Sequence, residues 1–340
     1  MVPERESHPK RRRDGRANAP TFLIIGAAKS GTTSLHHYLD QHPEVFMCPV
    51  KETNFFAFCD AMPRFRGPGA KFFLQTSVPD RDRYRSLFSA GRGHRARGEA
   101  SPWYMVHPGT AARIHRYVPE VKLVAILRHP ADRAFSAFTM RVRDGLEPCQ
   151  SLREAIADQS RRDREGWAIG GYVSRGFYCR QLRPYYSLFP REQIRVYLFD
   201  ELKRDPVGLL RDLFAFIGVS SDFIPDLSAR LNRSGVIRNP VVRTLWTRSN
   251  PLRDLVRPLL PERVRRGAFR LLIREVEKPP PDPELHQELT ELYREDILCL
   301  QELIGRDLTA WLEGVEERSG QGKPRESETG GKDARASGLG

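Results

Sequence analysis

Short uninterrupted apolar runs alternate with longer stretches of helical periodicity along most of the chain. The runs TFLIIGA (21–27), KLVAILR (122–128) and IRVYLFDEL (194–202) are typical of strands that are buried on both faces. A further short strand is expected near RGEAS (97–101). Because helical patterns separate these runs, the sequence predicts an α/β fold with a central parallel sheet and crossover helices.

The helical segments have recognisable starts and ends. Residues 33–41 are predicted to form a helix that begins in a glycine-containing turn, and Pro130 lies where a helix should follow the second long strand. Gly218 ends the helical segment DPVGLLRDLFAFIG. The prolines of PPPDP prevent a helix before Pro283. The segment that follows them predicts one apolar helical face, formed by Leu285, Leu289, Leu292, Leu300 and Leu303.

The length and composition predict one domain with two unstructured ends. The chain has 340 residues, of which 39% are hydrophobic and 29% charged. We expect a disordered basic arm over residues 1–19, a single domain over 20–314 and a disordered tail over 315–340. No apolar run approaches the roughly 18 residues of a membrane span, and no signal peptide is visible, so a cytoplasmic protein without a transmembrane segment is expected. The cysteines form no CxxC pair and are expected to be reduced thiols; they are Cys48, Cys59, Cys149, Cys179 and Cys299.

The chain is strongly basic, with a formal net charge of +13 at pH 7. Such an excess is typical of proteins that bind nucleic acid, an anionic membrane or an anionic small molecule. Composition alone does not choose among these partners.

A strand, a glycine-containing turn and a helix succeed one another in FLIIGAAKSGTTSLHHYL. A helix that starts in such a turn presents free backbone N–H groups and the positive end of its dipole, which together bind phosphate or sulfate. Gly26 and Gly31 have the separation of the Walker A glycines, but Lys29 precedes the second glycine instead of following it. The segment is therefore a displaced relative of the P-loop.

A second candidate anion site follows the strand KLVAILR. Arg128 ends that strand, and Ser136 lies on the helix that begins after it. Ligands of open α/β sheets bind at the carboxyl ends of the strands, and an arginine there suits a terminal phosphate. A nucleoside triphosphatase would more often have an aspartate at this position to hold Mg²⁺. The arginine therefore favours a second phosphate and no metal.

Several segments, in this order, resemble the sulfotransferases that use 3′-phosphoadenosine 5′-phosphosulfate (PAPS), especially their heparan-sulfate-type and bacterial branch. They are GAAKSGTTSL, HPEVFMCPVKETNFF, GEASPWY, LRHPADRAFSAF, RGFYCRQLRPYYSLFPREQIRVYLFDEL and GRDLTAW. The resemblance covers residues 21–312 and implies a P-loop-like three-layer fold, with PAPS as the sulfuryl donor and no metal.

The resemblance also implies roles for individual residues. The 5′-phosphosulfate would be held by Lys29, Ser30, Gly31, Thr32 and Thr33, with Lys29 stabilising the leaving phosphate. Arg128 and Ser136 would hold the 3′-phosphate. The segment LNRSGVIRNP adds weaker candidates for the same phosphate, namely Arg233, Ser234 and Gly235.

The general base that removes the acceptor proton has two candidates. Glu52 in KETNFF matches the catalytic glutamate of heparan-type relatives, although an isolated glutamate beside Lys51 would more often be a surface ion pair. The alternative is His107, as in the branch that uses a histidine. Glu99, Ser101 and Tyr104 lie near a strand end and are candidates for the acceptor pocket, with packing as an equal alternative for Tyr104 and the neighbouring Trp103.

Sulfuryl transfer to a hydroxyl or amine is thus the leading hypothesis, with a carbohydrate, glycolipid or small metabolite as acceptor. A P-loop kinase that uses ATP and Mg²⁺ is the first alternative, but it should have a Walker A lysine and a strand-end aspartate. A non-enzymatic nucleic-acid-binding protein is the second, but it should have a recognisable binding module. No nucleic-acid partner is therefore expected, and the oligomeric state is not predicted.

Overall fold

The computed structural model of the chain describes residues 18–167, 170–228 and 282–313. Five strands in these ranges form one sheet in the order β2-β3-β1-β4-β5, and every neighbouring pair is parallel. The strands are β1 (Phe22–Gly26), β2 (Val45–Met47), β3 (Ala96–Ala100), β4 (Lys122–Leu127) and β5 (Ile194–Leu198). The predicted α/β class with a central parallel sheet is confirmed.

The two faces of the sheet belong to two separate hydrophobic clusters. In β1, Leu23 and Ile25 pack into one cluster, whereas Phe22 and Ile24 pack into the other. Side chains of a strand alternate between its faces, so a strand covered by helices on both sides must be apolar at every position. This alternation explains the continuous apolar runs in the sequence and gives the fold its three layers.

Thirteen helices of the described ranges surround this sheet. They are α1 (Thr32–Asp40), α2 (Phe55–Phe58), α3 (Ala70–Thr76), α4 (Arg81–Ser86), α5 (Trp103–Val106), α6 (Thr110–Tyr117), α7 (Pro130–Arg143), α8 (Leu152–Ala157), α9 (Gln159–Arg164), α10 (Tyr178–Leu188), α11 (Phe199–Arg204), α12 (Pro206–Ile217) and α13 (Pro283–Ile304). Pro130 and Pro283 begin their helices as predicted, and Gly218 ends α12 in the left-handed conformation.

The structure differs from the predicted elements in three places. The strand expected over 194–202 ends at Leu198, where the carboxylate of Glu201 accepts a hydrogen bond of 2.8 Å from the backbone N–H of Leu198 and caps α11. The three-residue strand β2 was not predicted. Leu292 is 53% exposed, so it is not on the buried face of α13.

The expectation that all cysteines are reduced thiols is wrong for two of them. Cys179 at the start of α10 and Cys299 near the end of α13 form a disulfide, whereas Cys48, Cys59 and Cys149 are free. The bond joins residues 120 positions apart in sequence, so no local spacing pattern could have indicated it.

Some predictions lie outside the described residues. These are the 3′-phosphate candidates Arg233, Ser234 and Gly235, the tail over 315–340, and all but residues 18 and 19 of the basic arm. Among the helices that the structure describes, none combines the length and apolar character needed to cross a membrane.

Candidate active site

The turn after β1 is shaped for close approach of a ligand to the backbone. Lys29 and Gly31 both have positive φ angles, of 70° and 109°, and α1 begins directly afterwards at Thr32. A Cβ atom at Gly31 would lie 3.1 Å from a ring carbon of Phe199, so a side chain there would be both strained and crowded. The turn therefore exposes the free N–H groups of the first turn of α1.

A cavity of about 370 Å³ opens over this turn at the carboxyl ends of the strands. It is lined by Ala28, Lys29, Gly31, Thr32, Thr33, Glu52, Pro102, Trp103, Arg128, Ser136, Met140, Arg141, Arg143, Arg175, Phe199 and Lys203. The two anion-binding segments and the Glu52 segment, which are far apart in sequence, thus meet in one place. A larger cavity of about 440 Å³ lies at the amino ends of the strands, next to Thr21, Arg97 and Val121, and contains none of the predicted site residues.

Six cationic side chains and one carboxylate line the cavity of about 370 Å³. The cations are Lys29, Arg128, Arg141, Arg143, Arg175 and Lys203, and the carboxylate is Glu52. Burial and the nearby Arg143 lower the pKa of Lys29 to about 8, with Asp144 opposing the shift. Burial beside Arg141 and Arg133 likewise lowers the pKa of Arg175. Such shifts indicate that several cations lie close together with too few carboxylates to balance them. A multiply charged anion would supply the missing negative charge.

Arg128 is held from several sides. Its guanidinium lies 5.1 Å from the centre of the Phe199 ring and 3.5 Å from the Asp132 carboxylate, and its carbonyl accepts a hydrogen bond of 2.9 Å from Tyr178. Within the described ranges its buried Nε has no hydrogen-bond partner. A buried donor without an acceptor is costly, so this atom is available for an oxygen of a bound anion.

Asp132 links Arg128 to the last helix. His286 Nε2 on α13 lies 3.2 Å from Asp132 Oδ1. Burial alone would raise the pKa of Asp132, but the His286 contact and the charge of Arg128 hold it well below its usual range. Atoms of His129, Asp132 and His286 lie within 4.8 Å of one another, which is close enough for metal ligands. Hydrogen bonds and a neighbouring guanidinium account for this group, and we assign it no metal.

Glu52 lies at the cavity in an unusual backbone conformation. Its φ is 63°, and its N–H donates a hydrogen bond of 3.1 Å to the Ala100 carbonyl at the end of β3. Its carboxylate is 41% exposed and 2.9 Å from Lys51 Nζ. The surface ion pair considered for Glu52 is therefore present, and the same carboxylate also lines the cavity.

Other predicted residues lie away from the cavity. His107 is not among the lining residues, because its ring packs against Phe58 and its Nδ1 is 3.1 Å from an Arg113 nitrogen. Ser30 is fully buried beneath the turn. The candidates Glu99, Ser101 and Tyr104 are also fully buried and do not line the cavity, so the acceptor-pocket alternative is wrong for them.

Trp103, for which packing was the alternative to the acceptor pocket, lines the cavity, whereas three arginines of the cavity wall were not predicted. Arg141 and Arg143 come from the last turn of α7, and Arg175 comes from a 3₁₀ turn before α10, with its guanidinium 4.4 Å from the centre of the Trp103 ring. Arg143 could have been found from its spacing, because seven residues after Ser136 it lies on the same helical face, whereas Arg141 does not. No local signal identifies Arg175, because the rest of the cavity is remote in sequence.

The comparison with known proteins agrees with this geometry. The profile of the sulfotransferase family matches residues 20–223, which is more than half of the chain. The chain belongs to the sulfotransferase family. The resemblance inferred from the motifs is therefore confirmed.

A sulfotransferase from Alicyclobacillus acidocaldarius has a similar crystal structure, with a TM-score of 0.68 and 38% identity. The match covers 87% of this chain and 99% of that chain. Among curated relatives, the membrane-associated sulfotransferase kil1 of Dictyostelium discoideum is 30% identical over 59% of this chain and 56% of its own. Heparan sulfate glucosamine 3-O-sulfotransferase 3A1 of Mus musculus is 27% identical over 61% of this chain and 47% of its own. The chain spans about half the length of these two relatives.

Proposed function

We propose that the protein transfers a sulfuryl group from PAPS to a hydroxyl or amine of an acceptor. The observation that carries the proposal is that two separate anion-binding segments, the Lys29 turn and the Arg128–Ser136 segment, line the same cavity. A donor with a 5′-phosphosulfate and a 3′-phosphate needs two such places. A ligand with one phosphate chain at one end would need only the first.

The residues at the cavity fit this donor. Lys29, Gly31, Thr32 and Thr33 would hold the 5′-phosphosulfate, with Ser30 beneath them. Arg128 and Ser136 would hold the 3′-phosphate, and the unpartnered Nε of Arg128 supports that role. Arg233, Ser234 and Gly235 remain proposed contacts to the same phosphate. The cationic wall supplies the positive charge that a metal ion provides in nucleoside triphosphatases, so we propose that the reaction needs no metal.

The proposed chemistry is an in-line displacement in which Glu52 is the general base. The Glu52 carboxylate accepts the proton of the acceptor hydroxyl or amine while the acceptor atom bonds to sulfur. The bond between sulfur and the bridging oxygen breaks, and its electron pair leaves with adenosine 3′,5′-bisphosphate (PAP). Lys29 would stabilise the negative charge that develops on that oxygen. His107 remains an alternative base only if it moves, because its ring packs against Phe58.

We propose a carbohydrate, glycolipid or small metabolite as acceptor. The support is the similarity to heparan sulfate 3-O-sulfotransferases, which act on a glycan by name.

The direct test supplies ³⁵S-labelled PAPS together with a panel of sugars, glycolipids and phenols. We expect labelled product and an equal amount of PAP with at least one class of acceptor, in the presence of EDTA. Glu52→Gln should abolish transfer and keep PAP binding. The control Glu44→Gln changes an acidic residue at the edge of the sheet beside Arg95, and it should keep both transfer and PAP binding. Full transfer by Glu52→Gln would exclude Glu52 as the base. No PAP formation with any acceptor, together with phosphate transfer from ATP, would contradict the proposed reaction.

A further inference from the structure

A carboxylate with no exposure to solvent lies beneath the turn that carries Glu52. Glu99 is in β3 and is 0% exposed. Its two oxygens accept hydrogen bonds from four hydroxyl groups. These are Thr53 (2.6 Å), Ser101 (2.9 Å), Tyr84 (2.8 Å) and Tyr104 (2.5 Å).

All four hydroxyls act as donors to this carboxylate. Burial and the charge of Glu99 raise the pKa values of Tyr84 and Tyr104 well above the ordinary value, so both phenols keep their protons. Burial also raises the pKa of Glu99, while the hydroxyl hydrogen bonds oppose that shift. A buried polar group is tolerated only when it is hydrogen-bonded, and here each oxygen has two partners.

The turn above Glu99 has a strained backbone. Glu52 and Asn54 are not glycines, yet their φ angles are 63° and 53°. Residues with side chains avoid this region unless surrounding contacts enforce it. The turn must therefore be fixed by contacts to its neighbours.

Three of those contacts come from the end of β3, and others come from Ser77 and Val78. Thr53, between the two strained residues, donates to Glu99, and the N–H of Asn54 donates a hydrogen bond of 3.1 Å to Ser101 Oγ. The N–H of Glu52 donates to the Ala100 carbonyl. Three consecutive residues of the turn are thus bound to three consecutive residues of the β3 end. Because β3 neighbours β1 in the sheet, this arrangement fixes the Glu52 backbone, from which the carboxylate extends, relative to the Lys29 turn.

We propose that Glu99 and Thr53 are positioning residues for the Glu52 carboxylate, acting through the hydrogen bond between them. The inference rests on the proposed role of Glu52 as base. It assigns a function to a buried carboxylate that does not line the cavity. Packing alone would favour an apolar side chain at this position. A displaced base loses rate without losing donor affinity, because the donor is held by other residues.

The test compares two substitutions at one position. Thr53→Val keeps the shape of the side chain and removes its hydroxyl, whereas Thr53→Ser keeps the hydroxyl. We expect Thr53→Val to lower kcat by about 10- to 100-fold, with KM for PAPS and the Kd for PAP within about twofold of wild type. Thr53→Ser should stay within about threefold in kcat. Thr110→Val is the matched control, because it removes an equally buried hydroxyl from α6 outside the cavity, and it should leave kcat unchanged.

A second variant tests the carboxylate itself. Glu99→Gln leaves one oxygen able to accept and adds an N–H₂ group among four donors, so it should lower kcat at least as far as Thr53→Val. If Glu99→Gln does not fold, the comparison of Thr53→Val with Thr53→Ser still tests the positioning role.

The outcomes separate the positioning role from a structural one. Wild-type kcat in Thr53→Val would overturn the proposal. A parallel loss of kcat, PAP affinity and thermal midpoint in Thr53→Val would also overturn it, because general destabilisation would then explain the effect. Glu52→Gln, assayed alongside, tests the base assignment separately. Full activity of Glu52→Gln would contradict the proposed role of Glu52 as base. An inactive Glu52→Gln together with a fully active Thr53→Val would contradict only the positioning role.

Discussion

The lowered pKa of Lys29 gives the proposed donor site a pH dependence that an ordinary lysine would not produce. Burial and the neighbouring Arg143 lower this pKa from 10.5 to about 8. In the proposed site the protonated form of Lys29 binds the 5′-phosphate of PAP, so the affinity for PAP should fall as the pH rises through 8. A bound anion stabilises the charge of the ammonium, so the pKa of Lys29 is higher in the complex than in the free protein. The affinity for PAP therefore begins to fall near the pKa of the free protein and stops falling above the pKa of the complex.

The size of the effect follows from the protonated fraction. With a pKa of about 8, Lys29 is roughly 90% protonated at pH 7, half protonated at pH 8 and roughly 10% protonated at pH 9. If only the protonated form binds, the Kd for PAP should rise about tenfold between pH 7 and pH 9. An unperturbed lysine would change the Kd by only a few per cent over the same range. The PAP phosphates are already ionised above pH 7 and do not contribute.

Isothermal titration calorimetry of PAP binding between pH 7 and pH 9 measures this effect. Lys29→Met is the control. It should bind PAP more weakly, with a Kd that changes by no more than about twofold over this range, because burial lowers the pKa of Arg175 to about 9, at the upper end of the range. Burial raises the pKa values of the free thiols Cys48, Cys59 and Cys149, so these groups should not titrate in the same window. A Kd for the wild type that is constant from pH 7 to pH 9 would refute the argument. A tenfold rise that persists in Lys29→Met would refute the assignment to Lys29.

Three further substitutions test the surroundings of the site. Gly31→Ala should lower the free energy of unfolding by about 2–4 kcal/mol and weaken PAP binding, because it places a crowded Cβ on a left-handed backbone. Urea denaturation measures the change in stability, and calorimetry measures the change in PAP affinity. Asp132→Asn should weaken PAP binding about two- to fivefold, because it removes the ion pair that orients Arg128. It should leave the binding of 5′-AMP unchanged, since that nucleotide has no 3′-phosphate. Equal losses of affinity for both nucleotides would contradict this. Glu147→Gln should cost about 3 kcal/mol of stability with PAP affinity intact. It removes the negative charge 2.6 Å from the buried guanidinium of Arg162 and leaves Asp158 as the other carboxylate that contacts it; an unchanged urea midpoint would contradict this.

The sheet could be predicted because its strands are apolar on both faces. Leu23 and Ile24 of β1 pack into different clusters, and such a strand leaves a continuous apolar run in the sequence. The boundary at Leu198 could not be predicted, since Phe199 continues the apolar run although it begins a helix. The strand β2 has three residues, which is too short for any periodicity to be recognised.

The site could be predicted only where each motif is local. Lys29 and Gly31 share one turn, and Arg128 ends one strand, so their chemistry is visible in sequence. Arg175 reaches the cavity from a distant segment. The environment of Glu99 depends on hydroxyl groups from remote helices and turns, so it emerges only from the folded chain.

The central claim is that this cavity binds a nucleotide with phosphates at both the 3′ and the 5′ position. Thermal unfolding in the presence of PAP, of ATP with Mg²⁺ and of duplex DNA tests it most directly. We expect a clear rise in the unfolding midpoint with PAP that is lost in Arg128→Ala, and little change with ATP–Mg²⁺ or DNA. A rise with ATP–Mg²⁺ and none with PAP would contradict it.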